Sequence, residues 1–144
     1  STGARFVEVS SDKRLRGIHI TTAPYPGFPT DAQAPLMAAA CTGTGTTLFI
    51  ETIFENRFRH VSELARMGAD IRVSGRTALV TGKPLHGARV RSTDLRGGAA
   101  MVVAALAARG ESVIEDLNHI DRGYEGLEQK LTALGADIRR VEQP

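Results

Sequence analysis

Two stretches of the chain share one pattern: residues 45–73 read GTTLFIETIFENRFRHVSELARMGADIRV, and residues 110–141 read GESVIEDLNHIDRGYEGLEQKLTALGADIRRV. Each passes from a glycine through an apolar run and a polar turn into an amphipathic segment, and then reaches Gly-Ala-Asp-Ile-Arg. The first glycines, Gly45 and Gly110, lie 65 residues apart, and the glycines of the Gly-Ala-Asp-Ile-Arg motif lie 67 apart. Self-similarity at a fixed period indicates that one structural unit is used twice.

The match extends upstream of both stretches. Thr30-Asp31 and Thr93-Asp94 each precede an alanine-rich segment, which predicts a helix at the same place in both units. Short β-branched or aromatic runs bounded by turn residues predict strands at residues 5–9, 17–22, 77–80 and 112–115. One unit therefore reads strand, strand, helix, strand, helix, strand. This order predicts an α/β (α+β) fold, in which residues 1–144 form a single domain with internal units at about 5–73 and 77–142.

The second helix of each unit has the apolar spacing of an amphipathic helix. Its apolar positions are Phe58, Val61, Leu64 and Ala65 in the first unit, and Tyr124, Leu127, Leu131 and Leu134 in the second. Gly68 and Gly135 follow, and we expect both to end their helices in the left-handed conformation. Asp121 is the expected N-cap of the later helix.

Composition limits the classes of protein. The chain has 144 residues, 42% of them hydrophobic and 24% charged, and a formal net charge of +2, which describes a folded domain and excludes intrinsic disorder. The charge is too small to require nucleic acid or membrane as a partner. No segment has the pattern of a membrane span or a signal peptide, so we expect a cytoplasmic protein. Cys41 is alone, which excludes an intrachain disulfide and a cysteine zinc site.

The segment PYPGFPTD at residues 24–31 interrupts the repeat, because its counterpart passes from Arg91 to Asp94 without an insertion. Three prolines fix the backbone there and predict a rigid loop before the helix. The loop could hold Asp31 as a base toward a hydroxyl group. Alternatively, Thr30 and Asp31 could only cap the helix.

Three arginines follow predicted strand or loop ends. Arg57 and Arg122 occupy equivalent places, each just inside an expected helix start, and Arg96 opens the helix at residues 97–108. Helix starts attract anions, and guanidinium groups bind carboxylate or phosphate in bidentate fashion. The three arginines would form an anion site if the repeat brings the helix starts together. The alternatives are a plain strand-to-helix turn, with Glu55 or Asn56 near its N-cap, and solvated surface arginines.

Other constellations are absent from the sequence. The four histidines show no spacing typical of metal ligands, and Cys41 lies in an alanine-rich helix where a buried thiol is expected. No phosphate-binding loop and no Gly-x-Ser-x-Gly nucleophile turn occurs. We therefore expect no metal site and no cofactor.

Four motifs closely resemble the UDP-N-acetylglucosamine enolpyruvyl transferase family: PYPGFPTD at 24–31, TIFENRFRHVSEL at 52–64, TDLRGGAA at 93–100 and HIDRGYE at 119–125. The resemblance covers essentially the whole chain, which looks like the C-terminal third of the family's proteins. It implies transfer of the enolpyruvyl group of phosphoenolpyruvate to the 3-hydroxyl of UDP-N-acetylglucosamine, with release of phosphate. That reaction is the first committed step of peptidoglycan synthesis, and so serves cell wall biogenesis, cell shape and cell division.

The resemblance also implies a fold and residue roles. The family forms an inside-out α/β barrel with three similar units in each domain, of which this chain would hold two. The implied proton acceptor is Asp31, and the implied UDP-sugar contacts are Thr30, Asp31, Ile53 and Phe54. The implied phosphoenolpyruvate ligands are Arg57, Arg96 and Arg122. A catalytic cysteine and a lysine of the family belong to the missing remainder of the enzyme, so the chain would supply half an active site and be inactive alone.

Alternative functions stay open at this stage. The chain could be a non-catalytic nucleotide-sugar binding or assembly module of the same fold. The shikimate-pathway enolpyruvyl transferase shares the fold class, but its motifs differ from PYPGFPTD and HIDRGYE. RNA terminal phosphate cyclase has a similar repeated architecture, although this sequence lacks a nucleic-acid footprint. An open sheet edge left by a missing unit predicts a homo-oligomer.

Overall fold

The computed structural model describes residues 8–11 and 13–141. Its strands are β1 (His19–Thr21), β2 (Thr46–Ile50), β3 (Asp70–Ser74), β4 (Thr77–Thr81), β5 (Arg89–Arg91) and β6 (Val113–Glu115). Its helices are α1 (Thr30–Ala40), α2 (Val61–Arg66), α3 (Leu95–Ala107), α4 (Asn118–Asp121) and α5 (Leu127–Ala133). None of these helices is long and apolar enough to cross a membrane.

The strands form two sheets. The larger sheet has the order β1-β2-β4-β3, in which β1 is parallel to β2, with Ile20 opposite Phe49, and β4 is antiparallel to both of its neighbours. β5 and β6 form a separate parallel pair with Val90 opposite Ile114. β4 lies in the second unit by sequence, but its hydrogen bonds complete the sheet of the first.

The repeat extends to individual backbone hydrogen bonds. The Gly17 amide donates to the Thr44 carbonyl at 2.8 Å, and the Gly87 amide donates to the Arg109 carbonyl at 2.7 Å. A Cβ atom would lie 2.2 Å from a carbonyl oxygen at Gly17 and 2.0 Å from one at Gly87. Because no side chain fits at such distances, both close approaches between strands require glycine.

The helix ends repeat in the same way. Gly68 and Gly135 follow α2 and α5 with φ angles of 88° and 95°, so both are left-handed, as the sequence predicts. The amide of Ala69 donates back to the Leu64 carbonyl at 3.1 Å, and the corresponding bond after α5 measures 3.0 Å. These are the bonds of a Schellman motif, which satisfies carbonyls that the helix end leaves free.

Two crossover helices bring the units together. α1 connects the parallel strands β1 and β2, and α3 connects β5 and β6. The two helices pack against each other, and the core around them contains the fully buried Met37, Ala38, Met101 and Ala104. Alanine lets the helices approach closely, and the flexible methionine side chains fill the remaining space.

The expected elements differ from the structure in several places. Of the strand expected over residues 5–9, only Glu8 and Val9 are described, and they form no strand. Asp121 ends α4 and does not cap a helix; α5 begins six residues later, after Gly126 in the left-handed conformation with φ 57°. Residues 134–141 contain no strand, and Leu134 is 84% exposed because it lies beyond the end of α5.

The first strands of the two units are covered differently. α2 packs against β5, and Leu85, just before that strand, is fully buried in the common core. Leu15 holds the equivalent position before β1 but is 49% exposed, and the neighbouring Ile18 is 53% exposed. The first unit thus presents to solvent the apolar surface that the second unit buries.

Candidate functional site

Asp31 lies between two arginines from different parts of the chain. Its Oδ1 accepts a hydrogen bond from Arg57 at 2.9 Å, and its Oδ2 accepts one from Arg96 at 2.7 Å. The carboxylate makes no cap hydrogen bond to α1, so the interpretation of Asp31 as only a cap is wrong. The hydrogen bond from Arg96 lowers the pKa of Asp31; burial acts in the opposite direction, and the charges of Arg96 and Arg57 lower the pKa further.

Arg96 is held in place at the start of α3. Asp94 is the N-cap of that helix, and its carboxylate accepts hydrogen bonds from the amides of Arg96 (2.9 Å) and Gly97 (2.8 Å). The guanidinium of Arg96 donates to the Tyr124 hydroxyl at 2.8 Å and lies 5.7 Å from the centre of that ring. Its hydrogen bond to Asp31 raises the pKa of Arg96, so the group remains a permanent cation.

Arg57 reaches Asp31 from a turn and not from a helix start. The expectation of a helix beginning near residues 55–57 is wrong, because α2 begins only at Val61, with His60 as its N-cap. Asn56 has φ 53°, a left-handed conformation that interrupts a right-handed helix. Arg57 stacks on the Phe54 ring with 5.2 Å between the guanidinium carbon and the ring centre.

Arg122 does not join this cluster. It follows α4 as its C-cap, so the expectation that it lies just inside a helix start is wrong. Its nearest side-chain partner is His119, with 3.4 Å between Arg122 Nη2 and His119 Nδ1. Among the described residues, no hydrogen bond or ion pair joins Arg122 to Asp31, Arg57 or Arg96. Two of the three arginines therefore meet in this structure.

Glu51 organises the other side of the cluster, and no sequence motif indicated its role. Its side chain is buried, with 1% of the residue exposed. Oε1 accepts from the Thr22 hydroxyl at 2.9 Å and from the amides of Ile53 (2.9 Å) and Phe54 (3.2 Å), and Oε2 accepts from the Thr30 hydroxyl at 2.9 Å. Burial raises the pKa of Glu51, but these hydrogen bonds outweigh burial and hold the pKa below its usual value.

His60 lies beneath the start of α3 and is 1% exposed. Its Nε2 has no hydrogen-bond partner, and its Cβ would lie 3.3 Å from a Cβ placed at Gly97. Burial lowers the pKa of His60 to about 4, while the charge of Asp94 acts in the opposite direction. His60 is therefore neutral near pH 7 and contributes no positive charge to the anion site.

The arrangement can bind an anion and contact a planar ring. A half-exposed carboxylate lies between two arginines, next to the Phe54 ring, which is 49% exposed. The guanidinium groups can bind carboxylate or phosphate, and the aromatic surface can contact a planar ring. No cluster of three or more metal-ligating side chains occurs among residues 8–11 and 13–141.

Known proteins are similar to this chain in sequence and in fold. The family model for EPSP synthase (3-phosphoshikimate 1-carboxyvinyltransferase) matches residues 2–131. The chain belongs to the EPSP synthase family. Among solved structures, the enolpyruvyl transferase NikO from Streptomyces tendae matches 93% of the chain with a TM-score of 0.83 and 34% identity. An EPSP synthase from Acinetobacter baumannii matches 90% of it with a TM-score of 0.72 and 21% identity, a likeness of fold alone.

Two relatives within this family have a more specific name. The chain is 50% identical over 136 residues to UDP-N-acetylglucosamine 1-carboxyvinyltransferase of Halothermothrix orenii, and 54% identical over 136 residues to that of Zymomonas mobilis. These matches confirm the resemblance and the α/β enolpyruvyl transferase fold. They cover 94% of this chain, but the chain spans only about a third of the relatives' length, 33% and 32% respectively.

Proposed function

We propose that the chain forms part of an enzyme that transfers the enolpyruvyl group of phosphoenolpyruvate to the 3-hydroxyl of UDP-N-acetylglucosamine and releases phosphate. The observation that carries the proposal is the position of Asp31, at hydrogen-bond distance from both Arg57 and Arg96. The reaction needs a carboxylate near a hydroxyl and fixed positive charge around a phosphate and a carboxylate. The names of the relatives at 50% and 54% identity support the choice of substrates.

The reaction proceeds by addition followed by elimination. In the first step the sugar oxygen bonds to C2 of phosphoenolpyruvate, the hydroxyl proton passes to Asp31, and a proton from an acid in the remainder of the enzyme adds to C3. In the second step the bond from C2 to the phosphate oxygen breaks, phosphate leaves, and C3 loses a proton, so that the enol ether forms. Because its arginine neighbours lower the pKa of Asp31, this base depends on orientation more than on high proton affinity.

The anionic substrate competes with Asp31 for the arginines. Arg57 and Arg96 each have several N–H donors. One donor of each can stay hydrogen-bonded to Asp31 while the others bind phosphate. We assign Arg122 to the same substrate. Its exposed side chain would have to leave His119, which it contacts at a long distance of 3.4 Å. The developing charge in the tetrahedral intermediate would then be shared by three guanidinium groups.

The UDP-sugar would lie along Thr30, Ile53 and Phe54. The exposed Phe54 ring offers a face to the nucleotide sugar, and Ile53 lies beside it in the chain. The Thr30 hydroxyl donates to Glu51, which leaves the lone pairs of its oxygen free to accept from a sugar hydroxyl. This side of the site thus combines apolar contact with one oriented acceptor.

The remainder of the enzyme is the main macromolecular partner that we propose. Two features support a further part packing on this chain: the exposed apolar surface at Leu15 and Ile18, and the edge of β6 that pairs with no other strand among the described residues. Alone, the chain would be inactive, and a homo-oligomer through the open edge is the alternative way to cover it. We further propose a cytoplasmic location, a role in peptidoglycan synthesis, cell shape and cell division, and no cofactor.

A non-catalytic nucleotide-sugar binding or assembly module is the second candidate function. The exposed Phe54 ring and the oriented Thr30 hydroxyl favour it, because both concern binding of the sugar nucleotide and not the transfer. Calorimetric titration of the isolated chain with UDP-N-acetylglucosamine would then give a measurable affinity that Phe54→Ala weakens. Binding by the isolated chain would favour the module only if a full-length enzyme that contains this chain also releases no phosphate.

A fusion enzyme tests the transfer directly. In it, this chain replaces the matching third of the Halothermothrix orenii transferase. We expect phosphate release from phosphoenolpyruvate with UDP-N-acetylglucosamine, and none with 3-phosphoshikimate. The isolated chain, mixed with both substrates, should release no phosphate. Turnover by the isolated chain would contradict the half-site proposal, and a folded fusion that binds the sugar nucleotide without turnover would contradict the catalytic one.

A further inference from the structure

We propose that Glu51 is the positioning residue for the sugar-nucleotide side of the site. This inference rests on the proposed function. Glu51 does not face solvent, so it is not expected to touch the substrate. It acts through Thr30, Ile53 and Phe54, which the UDP-sugar would contact.

The geometry shows how one carboxylate reaches three segments. The Thr22 hydroxyl comes from the end of β1, the Thr30 hydroxyl from the start of α1, and the amides of Ile53 and Phe54 from the turn after β2. These four donors come from three separate segments of the chain, and among the described residues each finds its only side-chain acceptor in Glu51. Thr30 directly precedes Asp31 in α1, so the same bond also fixes the chain that carries the proposed base.

Thr22 also links β1 to the turn after β2 through hydrogen bonds with Thr52. The Thr52 amide donates to the Thr22 hydroxyl oxygen at 2.9 Å, and the Thr52 hydroxyl bonds to the Thr22 carbonyl at 2.5 Å. Thr52 follows Glu51 in the sequence, and the Thr22 hydroxyl donates to the Glu51 carboxylate. The turn that bears Ile53 and Phe54 is therefore anchored to the end of β1 by side-chain and backbone bonds together.

The second unit shows that the fold does not need this arrangement. Ser92 holds the position equivalent to Thr22, and its amide donates to the Glu115 carbonyl at 3.0 Å just as the Thr22 amide donates to Ile50 at 2.9 Å. The residue equivalent to Glu51 is Asp116. In the part of the chain that the structure describes, the Asp116 side chain is exposed and accepts no hydrogen bond.

A buried carboxylate is costly unless donors satisfy it. The same strand end folds without one in the second unit, so backbone structure alone does not explain the buried charge of the first. The residues that Glu51 fixes are those proposed to meet the UDP-sugar, whereas Arg57 and Arg96 are not bound to it. Glu51 should therefore affect binding of one substrate more than the other.

The test uses the fusion enzyme described above and measures both Michaelis constants. We expect Glu51→Ala to raise the KM for UDP-N-acetylglucosamine about tenfold or more, because small displacements of positioning groups have large effects. The KM for phosphoenolpyruvate should change less than about twofold. Glu51→Gln keeps an oxygen for three donors and places its amide group against Thr30, whose hydroxyl can accept, so it should restore most of the affinity.

The matched control is Asp116→Gly at the equivalent position. Glycine tolerates the φ of 61° found at Asp116, so this variant removes a carboxylate without strain. It should leave both KM values unchanged. A purely structural role for Glu51 would lower the melting temperature and the fraction of active enzyme, but would leave the ratio of the two KM values as it is.

The outcomes separate the inference from the proposed function. If the unmodified fusion enzyme shows no transfer to UDP-N-acetylglucosamine, the proposed function fails. If it turns over and Glu51→Ala leaves the KM ratio unchanged, or Glu51→Gln is as impaired as Glu51→Ala, the positioning role is overturned. Should Glu51→Ala not fold, Thr22→Val removes one donor of the same network and should raise the KM for the sugar nucleotide alone; an unchanged KM there would equally overturn it.

Discussion

Two aspartates at matching places in the two units have opposite roles. Asp94 is the N-cap of α3, and its carboxylate accepts from two backbone amides. Asp31 is the second residue of α1, whose N-cap position is taken by Pro29, and its carboxylate accepts from two arginine side chains. One carboxylate stabilises its own helix, while the other is turned outward and is half exposed.

The connecting loop accounts for the difference. Residues 22–29 join β1 to α1, whereas only residues 92–94 join β5 to α3. The longer loop holds three prolines and places one of them at the N-cap, where its missing amide removes no helix bond. A short insertion before a repeated helix can thus free a capping side chain for chemistry while the surrounding backbone hydrogen bonds stay the same.

Asp31→Asn in the fusion enzyme should reduce catalysis strongly. Asparagine keeps the size of the side chain but cannot accept the hydroxyl proton, so kcat should fall by about 10²- to 10⁴-fold. Phosphate release at saturating substrates measures it. The control is Asp137→Asn, which changes an exposed aspartate elsewhere and should leave kcat unaffected. An Asp31→Asn enzyme with near-normal kcat would remove Asp31 from the role of base.

The second helices of the two units, α2 and α5, differ in how they make stability depend on pH. The N-cap of α2 is the buried His60, whereas the N-cap of α5 is Gly126, which cannot titrate. The folded chain holds the pKa of His60 at about 4, below its value of 6.5 when unfolded. As pH falls below about 6.5 the unfolded state binds the proton first, so stability decreases until the pH reaches about 4.

Between about pH 7 and pH 5 we expect this loss to reach roughly 2 kcal/mol, measured by denaturant unfolding of the isolated chain. The carboxylates Asp31, Glu51 and Asp94 have lowered pKa values, so they stabilise the fold above about pH 4 and lose that contribution only below it. They therefore add little to the slope above about pH 5. His60→Leu should abolish the slope above pH 5, because leucine does not ionise. A slope that persists in that variant would show that another group controls stability in this range.

Most of the backbone could be predicted from the sequence, because the signals are local. Gly68 and Gly135 end their helices as expected, and the apolar runs at 77–80 and 112–115 become β4 and β6. The failures fall where a side chain or a left-handed residue overrides periodicity. Asn56, for example, interrupts the turn before α2 and thereby delays that helix, although the apolar spacing starts earlier.

The candidate site was predictable only in part. Asp31, Arg57 and Arg96 stand out because motifs and the repeat single them out, and the structure brings them together. Arg122 has the same kind of signal but contacts His119 instead. Glu51 could not be predicted, because its role depends on hydrogen bonds from four donors between residues 22 and 54. Only the tertiary structure brings these donors together.

Asp94 and Asp31 also differ in how much each contributes to stability. Asp94→Ala removes both cap hydrogen bonds of α3 and should lower the free energy of unfolding by about 1 kcal/mol. Asp31→Ala removes only partly exposed ion pairs, worth about 0–1 kcal/mol at low salt. In about 0.5 M salt, screening should reduce the second effect strongly and leave the first nearly intact, because a cap bond does not depend on distant charge. Urea unfolding of the isolated chain at the two salt concentrations measures both. Equal losses for the two variants at high salt would mean that Asp31 stabilises its helix as Asp94 does, and the contrast between a capping and a chemical aspartate would be lost.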